Sequence, residues 1–280
     1  MLIGSITFLS AAFAVLTCVL GGFSGAAVVL GTLGCFLGYW IALALLAFLF
    51  LWAACATVDL TKPQERDSKF FRFLLRLYIP AVVTLLQVDF DLQGKEQLPK
   101  DGRFLLVCNH LNILDPVMLL RAFPESQLAF ISKRENMDMF LIGKIMHRIL
   151  CQMINRENDR EALKTILKCI QMIRDDQVSV AVFPEGYTSR DGKLHHFRSG
   201  VFKIATKTQV PIVLCTIQNT QTIFHNAKRQ KRTHVPLHVV GVIQPETYAG
   251  RTAVDIAQEA YDKMLSDLGP GFRPEEPAEE

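Results

Sequence analysis

The sequence predicts an α/β fold, a mixed sheet flanked by helices, preceded by an N-terminal transmembrane helical hairpin and a juxtamembrane amphipathic helix. Two observations carry this. Met1 to Val58 contains no Asp, Glu, Lys or Arg, and the first charge is Asp59. Beyond it, short apolar runs of strand character alternate with runs of helical periodicity, the pattern of an α/β domain.

The uncharged start is longer than a signal peptide and lacks a positive first region. A transmembrane helix needs about 20 apolar residues, and this run has room for two. The predicted break is GGFSG, Gly21 to Gly25, with spans at Leu2 to Leu20 and roughly Leu33 to Trp52. Tyr39, Trp40 and Trp52 suit the membrane interfaces. The alternative is one long helix from about Val28 to Ala56, with the first segment lying in the membrane. Lys62, Arg66, Lys69, Arg72 and Arg76 follow the second span, and the loop near Gly22 has no basic residue. The positive-inside bias then predicts an integral membrane protein with its C-terminal domain on the cytoplasmic face.

Ser68 to Ile79 has helical periodicity, with Phe70, Phe71, Leu74, Leu75 and Tyr78 on one face and Lys69, Arg72 and Arg76 on another. Such a helix can lie in the lipid interface with its cations toward headgroups, or pack on the domain with its cations solvated. Pro80 is expected to end or kink it. Val88–Leu92, Phe104–Cys108, Val178–Phe183, Ile212–Ile217 and Leu237–Ile243 read as strands. Pro116–Ala122, Arg160–Arg174 and Thr252–Leu268 read as helices, the last with Thr252 and Asp255 at capping-box spacing. The expected organisation is an anchor at 1–58, an amphipathic helix within 59–86, an α/β domain at 87–268 and a disordered tail at 269–280 rich in Pro and Glu.

Composition narrows the function classes. The net charge of +3 is small and no basic–aromatic strip occurs, which argues against a nucleic-acid partner. The seven cysteines form no CxxC pair and are expected to be reduced and buried. KRQKR, Lys228 to Arg232, reads as a solvated loop that could otherwise meet anionic lipid or an acidic carrier. No GxSxG elbow is present, so a hydrolase serine is not indicated.

The informative stretches are NHLNILD, Asn109 to Asp115, and FPEGYTSRDG, Phe183 to Gly192, each after a buried strand. Polar residues where a strand leaves an α/β sheet stand where such folds build sites. Histidine can take and return a proton near neutrality, and a nearby aspartate can fix its tautomer. His110 and Asp115 suit this pairing if a turn into Pro116 brings them together. Alone, the stretch reads rather as an N-cap beside a turn histidine. If His110 is a base, it acts on a substrate hydroxyl.

Taken together, the two stretches resemble the glycerolipid acyltransferases, and more narrowly the 1-acylglycerol-3-phosphate (lysophosphatidic acid) acyltransferases. NHLNILD matches the family's NHxxxxD block. Lys133, Glu135 and MINR, Met153 to Arg156, resemble the second block, FPEG matches the third, and VPIV, Val210 to Val213, the fourth. The resemblance spans about Phe104 to Ile217. It implies that His110 deprotonates the hydroxyl of a lysophospholipid and that Asp115 orients His110. The donor is then acyl-CoA or acyl-carrier protein, and no cofactor or metal is required. Asn109, Lys133, Arg156, Glu185, Gly186 and Arg190 are the implied acceptor-binding residues, with Lys133 and Arg156 on the phosphate. Membrane lipid is the expected partner, and oligomeric state is left open. The sequence departs from the family at Thr188, where an arginine is usual, and Arg190 is the expected substitute. The same chemistry on another lysophospholipid or lipid alcohol is the first alternative. A non-catalytic lipid-binding membrane protein is the second.

Overall fold

The computed structural model describes residues 1–155 and 158–274. Helices α1 (Leu2–Leu20) and α2 (Ala26–Ala56) form an antiparallel pair. The turn falls at the predicted GGFSG, where Gly22 and Gly25 take positive φ of 63° and 58°. Both helices are long and apolar enough to cross a membrane. Thr17 Oγ1 and Tyr39 OH, 2.9 Å apart, tie them together. At 1.5 Å per residue the 31-residue α2 is about 46 Å long. It therefore exceeds the expected span, and its final turns serve the domain. Tyr78 OH donates to Ala47 O at 2.7 Å, and Trp52 packs on Phe140 with ring centroids 6.1 Å apart.

Helix α3 (Lys69–Leu85) is capped by Ser68 and packs on the domain through Phe71, Leu74, Ile79 and Val83. One expectation is corrected here. Arg72 neither meets headgroups nor is solvated. It is 7% exposed and ion-paired with Asp67 at 2.9 Å, and it donates to Leu128 O and Ile149 O. Its long stem lets its fork of donors close two backbone carbonyls. Of the two outcomes expected at Pro80, ending the helix does not occur, because the helix runs on to Leu85 with Ile79 and Val83 buried.

The chain then runs β1 (Val88–Gln93), β2 (Leu105–Cys108), α4 (Asp115–Ala122), β3 (Leu128–Ser132), α5 (Arg134–Met137), α6 (Phe140–Arg148) and β4 (Gln152–Met153). It continues α7 (Asp159–Arg174), β5 (Ser179–Val182), α8 (Lys203–Thr208), β6 (Ile212–Ile217), α9 (Ile223–Lys228), β7 (Thr233–Ile243), α10 (Pro245–Tyr248) and α11 (Ala253–Leu268). Strands β3, of five residues, and β4, of two, are not among those read from the sequence, and β4 is too short to show a period. The capping box of Thr252 and Asp255 forms as predicted.

The seven strands lie in the order β1-β7-β6-β2-β5-β3-β4. All pairs are parallel except β6 with β7, so the sheet is mixed. Strands β2, β5 and β6 are buried along their whole length, as parallel strands covered on both faces must be. Helices α7, α8 and α11 cover one face, and α3 and α4 the other. The tail is not disordered from its start. Pro270–Phe272 forms a 3₁₀ turn, and the Leu194 N–H donates to Phe272 O at 2.8 Å. Residues 275–280 of the expected tail lie outside the described residues.

Candidate active site

Parallel pairing of β2 with β5 brings the two informative stretches together. Val107 is opposite Val182, so His110 and Glu185, each three residues further on, leave the sheet side by side. Strand β3 lies on the other side of β5 and points the same way, which puts Lys133 at the same sheet end. VPIV instead begins β6. With Cys108 opposite Cys215, His110 is level with Ile217, and Pro211 is roughly 20 Å back along the strand. The fourth block is therefore core, far from the histidine.

The turn after β2 closes on Asp115. His110 Nδ1 lies 2.8 Å from Asp115 Oδ2. The same oxygen accepts the N–H groups of Leu111 at 2.6 Å and Asn112 at 2.8 Å. Asp115 is fully buried and opens α4 with Pro116 behind it, so its carboxylate is held from two sides. This geometry favours a proton on Nδ1 and leaves Nε2 as the acceptor. Phe183 stacks on the imidazole at 4.2 Å between centroids and stops the ring from tilting.

Glu185 is 1% exposed and holds the adjoining loops. Its Oε1 accepts the His110 N–H at 2.8 Å, and its Oε2 accepts the Ser189 hydroxyl at 2.6 Å and the His195 N–H at 3.0 Å. Burial raises its pKa above the usual carboxylate range, and these three donors pull it back in part. The Ser189 N–H returns to His110 O at 2.7 Å. The partners of Glu185 are thus protein groups of the loops around the expected acceptor pocket. Asn109 likewise bonds within the protein. Its amide donates to Ile217 O at 2.9 Å and accepts the Ile217 N–H at 2.8 Å, so its side chain continues the ladder between β2 and β6 while 1% exposed.

Gly186 takes φ of +85°, which a side chain would strain. Lys133 and Arg190 are exposed. Arg156 lies outside the described residues. Ser189, His195, Phe183 and Arg198 were not singled out by the sequence. The signal for Ser189 was its place four residues after Glu185, and for Arg198 its place in DGKLHHFRSGVFKIA, a stretch that also resembles the family. The cysteines offer no nucleophile. Burial pushes the Cys151 thiol to about 11 and Cys169 to about 12, and holds Cys108 well above its ordinary value. Among the described residues no group of three His, Cys, Asp or Glu is placed to hold a metal.

Residues 89–218 match the Acyltransferase family model. The chain is 34% identical over 178 residues to a probable 1-acyl-sn-glycerol-3-phosphate acyltransferase of Mycoplasma pneumoniae, covering 62% of this chain and 64% of that protein. It is 24% identical over 199 residues to the 1-acyl-sn-glycerol-3-phosphate acyltransferase of Borreliella burgdorferi, covering 70% and 79%. The chain thus spans just under two thirds of the Mycoplasma relative's length. The crystal structure of the 1-acyl-sn-glycerophosphate (LPA) acyltransferase of Thermotoga maritima shares the fold, with a TM-score of 0.61 at 22% identity over 85% of this chain and 95% of that one. The NHLNILD and FPEG loops, paired at one end of the sheet, both lie within residues 89–218, the part of the chain that is similar to the Acyltransferase family.

Proposed function

We propose that this chain is a membrane-bound O-acyltransferase that moves a fatty acyl group from acyl-CoA or acyl-carrier protein to the free hydroxyl of 1-acylglycerol-3-phosphate, giving phosphatidic acid. The observation that carries the reading is the His110–Asp115 pair, 2.8 Å apart, locked to the FPEG loop. His110 Nε2 takes the hydroxyl proton as the oxygen attacks the thioester carbonyl. The new C–O bond forms, the C–S bond of the resulting tetrahedral centre breaks, and the leaving thiolate recovers the proton from His110. Asp115 stabilises the imidazolium between these steps. His110, Asp115 and the donor thioester account for every proton and bond.

The apolar α1–α2 pair supports a membrane location, and the cations after α2 support a cytoplasmic face. Both the acceptor and the product are bilayer lipids, so an anchored domain meets them without extracting them. The test is transfer of label from oleoyl-CoA to lysophosphatidic acid by the purified full chain. Labelled phosphatidic acid is the expected product. Absence of transfer to any lysophospholipid would leave the non-catalytic lipid-binding reading.

A further inference from the structure

The backbone of Gly186 carries a neighbour that the motif does not mention. A Cβ built there would stand 2.8 Å from Arg198 Nε and 3.1 Å from Arg198 Cδ. The arginine therefore lies across the glycine, in space that no other residue would leave open. Its backbone is anchored to the same loop, because the Arg198 N–H donates to Pro184 O at 2.8 Å. Its residue is exposed, and among the described residues it forms no ion pair. The nearby carboxylates are occupied. Glu185 is buried on its three donors, and Asp191 is paired with His195 at 3.0 Å.

The loop under this arginine belongs to the base. Residues 185 and 189 are both bonded to the backbone of His110, so the turn carrying Gly186 and Thr188 is bracketed by the histidine. A guanidinium seated on Gly186 thus lies on the loop that is bonded at both ends to His110. Thr188 itself brings no charge to that turn. Arg190 follows the second bracket, and among the described residues its side chain forms no hydrogen bond or ion pair.

We propose that Arg198 is the specificity-determining cation for an acceptor with a terminal phosphate, its fork of donors holding that phosphate while His110 takes the hydroxyl proton. This rests on the acyl-transfer reading above, and it assigns to Arg198 the contact that the sequence suggested for Arg190. It also gives Gly186 a second duty. The missing side chain lets the guanidinium lie low over the loop.

The test is equilibrium binding to the full chain in detergent micelles, with 1-oleoyl-lysophosphatidic acid and 1-oleoyl-lysophosphatidylcholine as probes. Arg198→Gln should weaken lysophosphatidic acid binding by about tenfold or more, the loss of a charge-assisted hydrogen bond. Binding of lysophosphatidylcholine, which has no terminal phosphate, should stay within about twofold, and Arg190→Gln should have the smaller effect. Arg198→Lys, which keeps the charge but not the fork, should fall between. It decides the matter if Arg198→Gln melts early. Equal losses for both probes, or unchanged lysophosphatidic acid binding, would overturn the assignment. Transfer is measured separately. A wild type that binds as predicted but transfers nothing would remove the proposed reaction and leave Arg198 in place.

Discussion

Asp115 Oδ2 sits 2.8 Å from His110 Nδ1 and also accepts two consecutive backbone N–H groups, those of Leu111 and Asn112. One buried oxygen thus shapes the turn and orients the ring that the turn presents. Removing the aspartate and removing the histidine should therefore do different things.

His110→Ala should lower turnover by roughly 10²–10⁴-fold with little change in melting temperature, because the ring makes no other strong bond. Asp115→Ala should lose turnover and also stability, by about 1–3 kcal/mol, since it orphans two buried donors. Thermal melts beside initial rates separate the two. Equal melts for both variants would contradict the double role of the carboxylate.

Asn109→Ala should act on the sheet rather than on the acceptor. It removes both bonds to Ile217 and should cost on the order of 1–3 kcal/mol. The half-saturating concentration of lysophosphatidic acid should not move in the folded fraction. A rise there, with an unchanged melt, would return Asn109 to acceptor binding.

Glu185 makes a prediction with a sign. Its folded pKa is raised, so its contribution to stability is full below the ordinary value near 4.5 and is lost as pH rises through the folded pKa. The melting-temperature advantage of wild type over Glu185→Gln should therefore be largest in acid and shrink toward neutrality. An advantage that grows with pH would mean that the donors from His110, Ser189 and His195 outweigh burial.

Arg72→Ala should be among the most damaging changes outside the site. It strands Asp67, whose side chain is 5% exposed, and the backbone carbonyls of Leu128 and Ile149. Breaking such a buried pair costs about 3–5 kcal/mol. A helix whose cations merely faced lipid would tolerate the change with no shift in melting.

The sequence by itself determined the fold class, the apolar hairpin and its turn at GGFSG, because an uncharged run and glycine punctuation are local properties. It also marked His110 and Asp115, since their separation and the Pro116 start lie within one turn. Their partners were decided by the tertiary structure. The pairing of β2 with β5, which makes His110 and Glu185 neighbours, depends on strand order, and no local pattern encodes that. Asn109 looked like part of a binding block until the sheet placed Ile217 across from it. Arg72 looked amphipathic because periodicity reports which face a residue shares, not whether a guanidinium will find carbonyls inside. The sequence did not say what Arg198 would touch. Its position over Gly186 is a contact between two segments brought together by the fold, and the missing side chain at Gly186 leaves room for it.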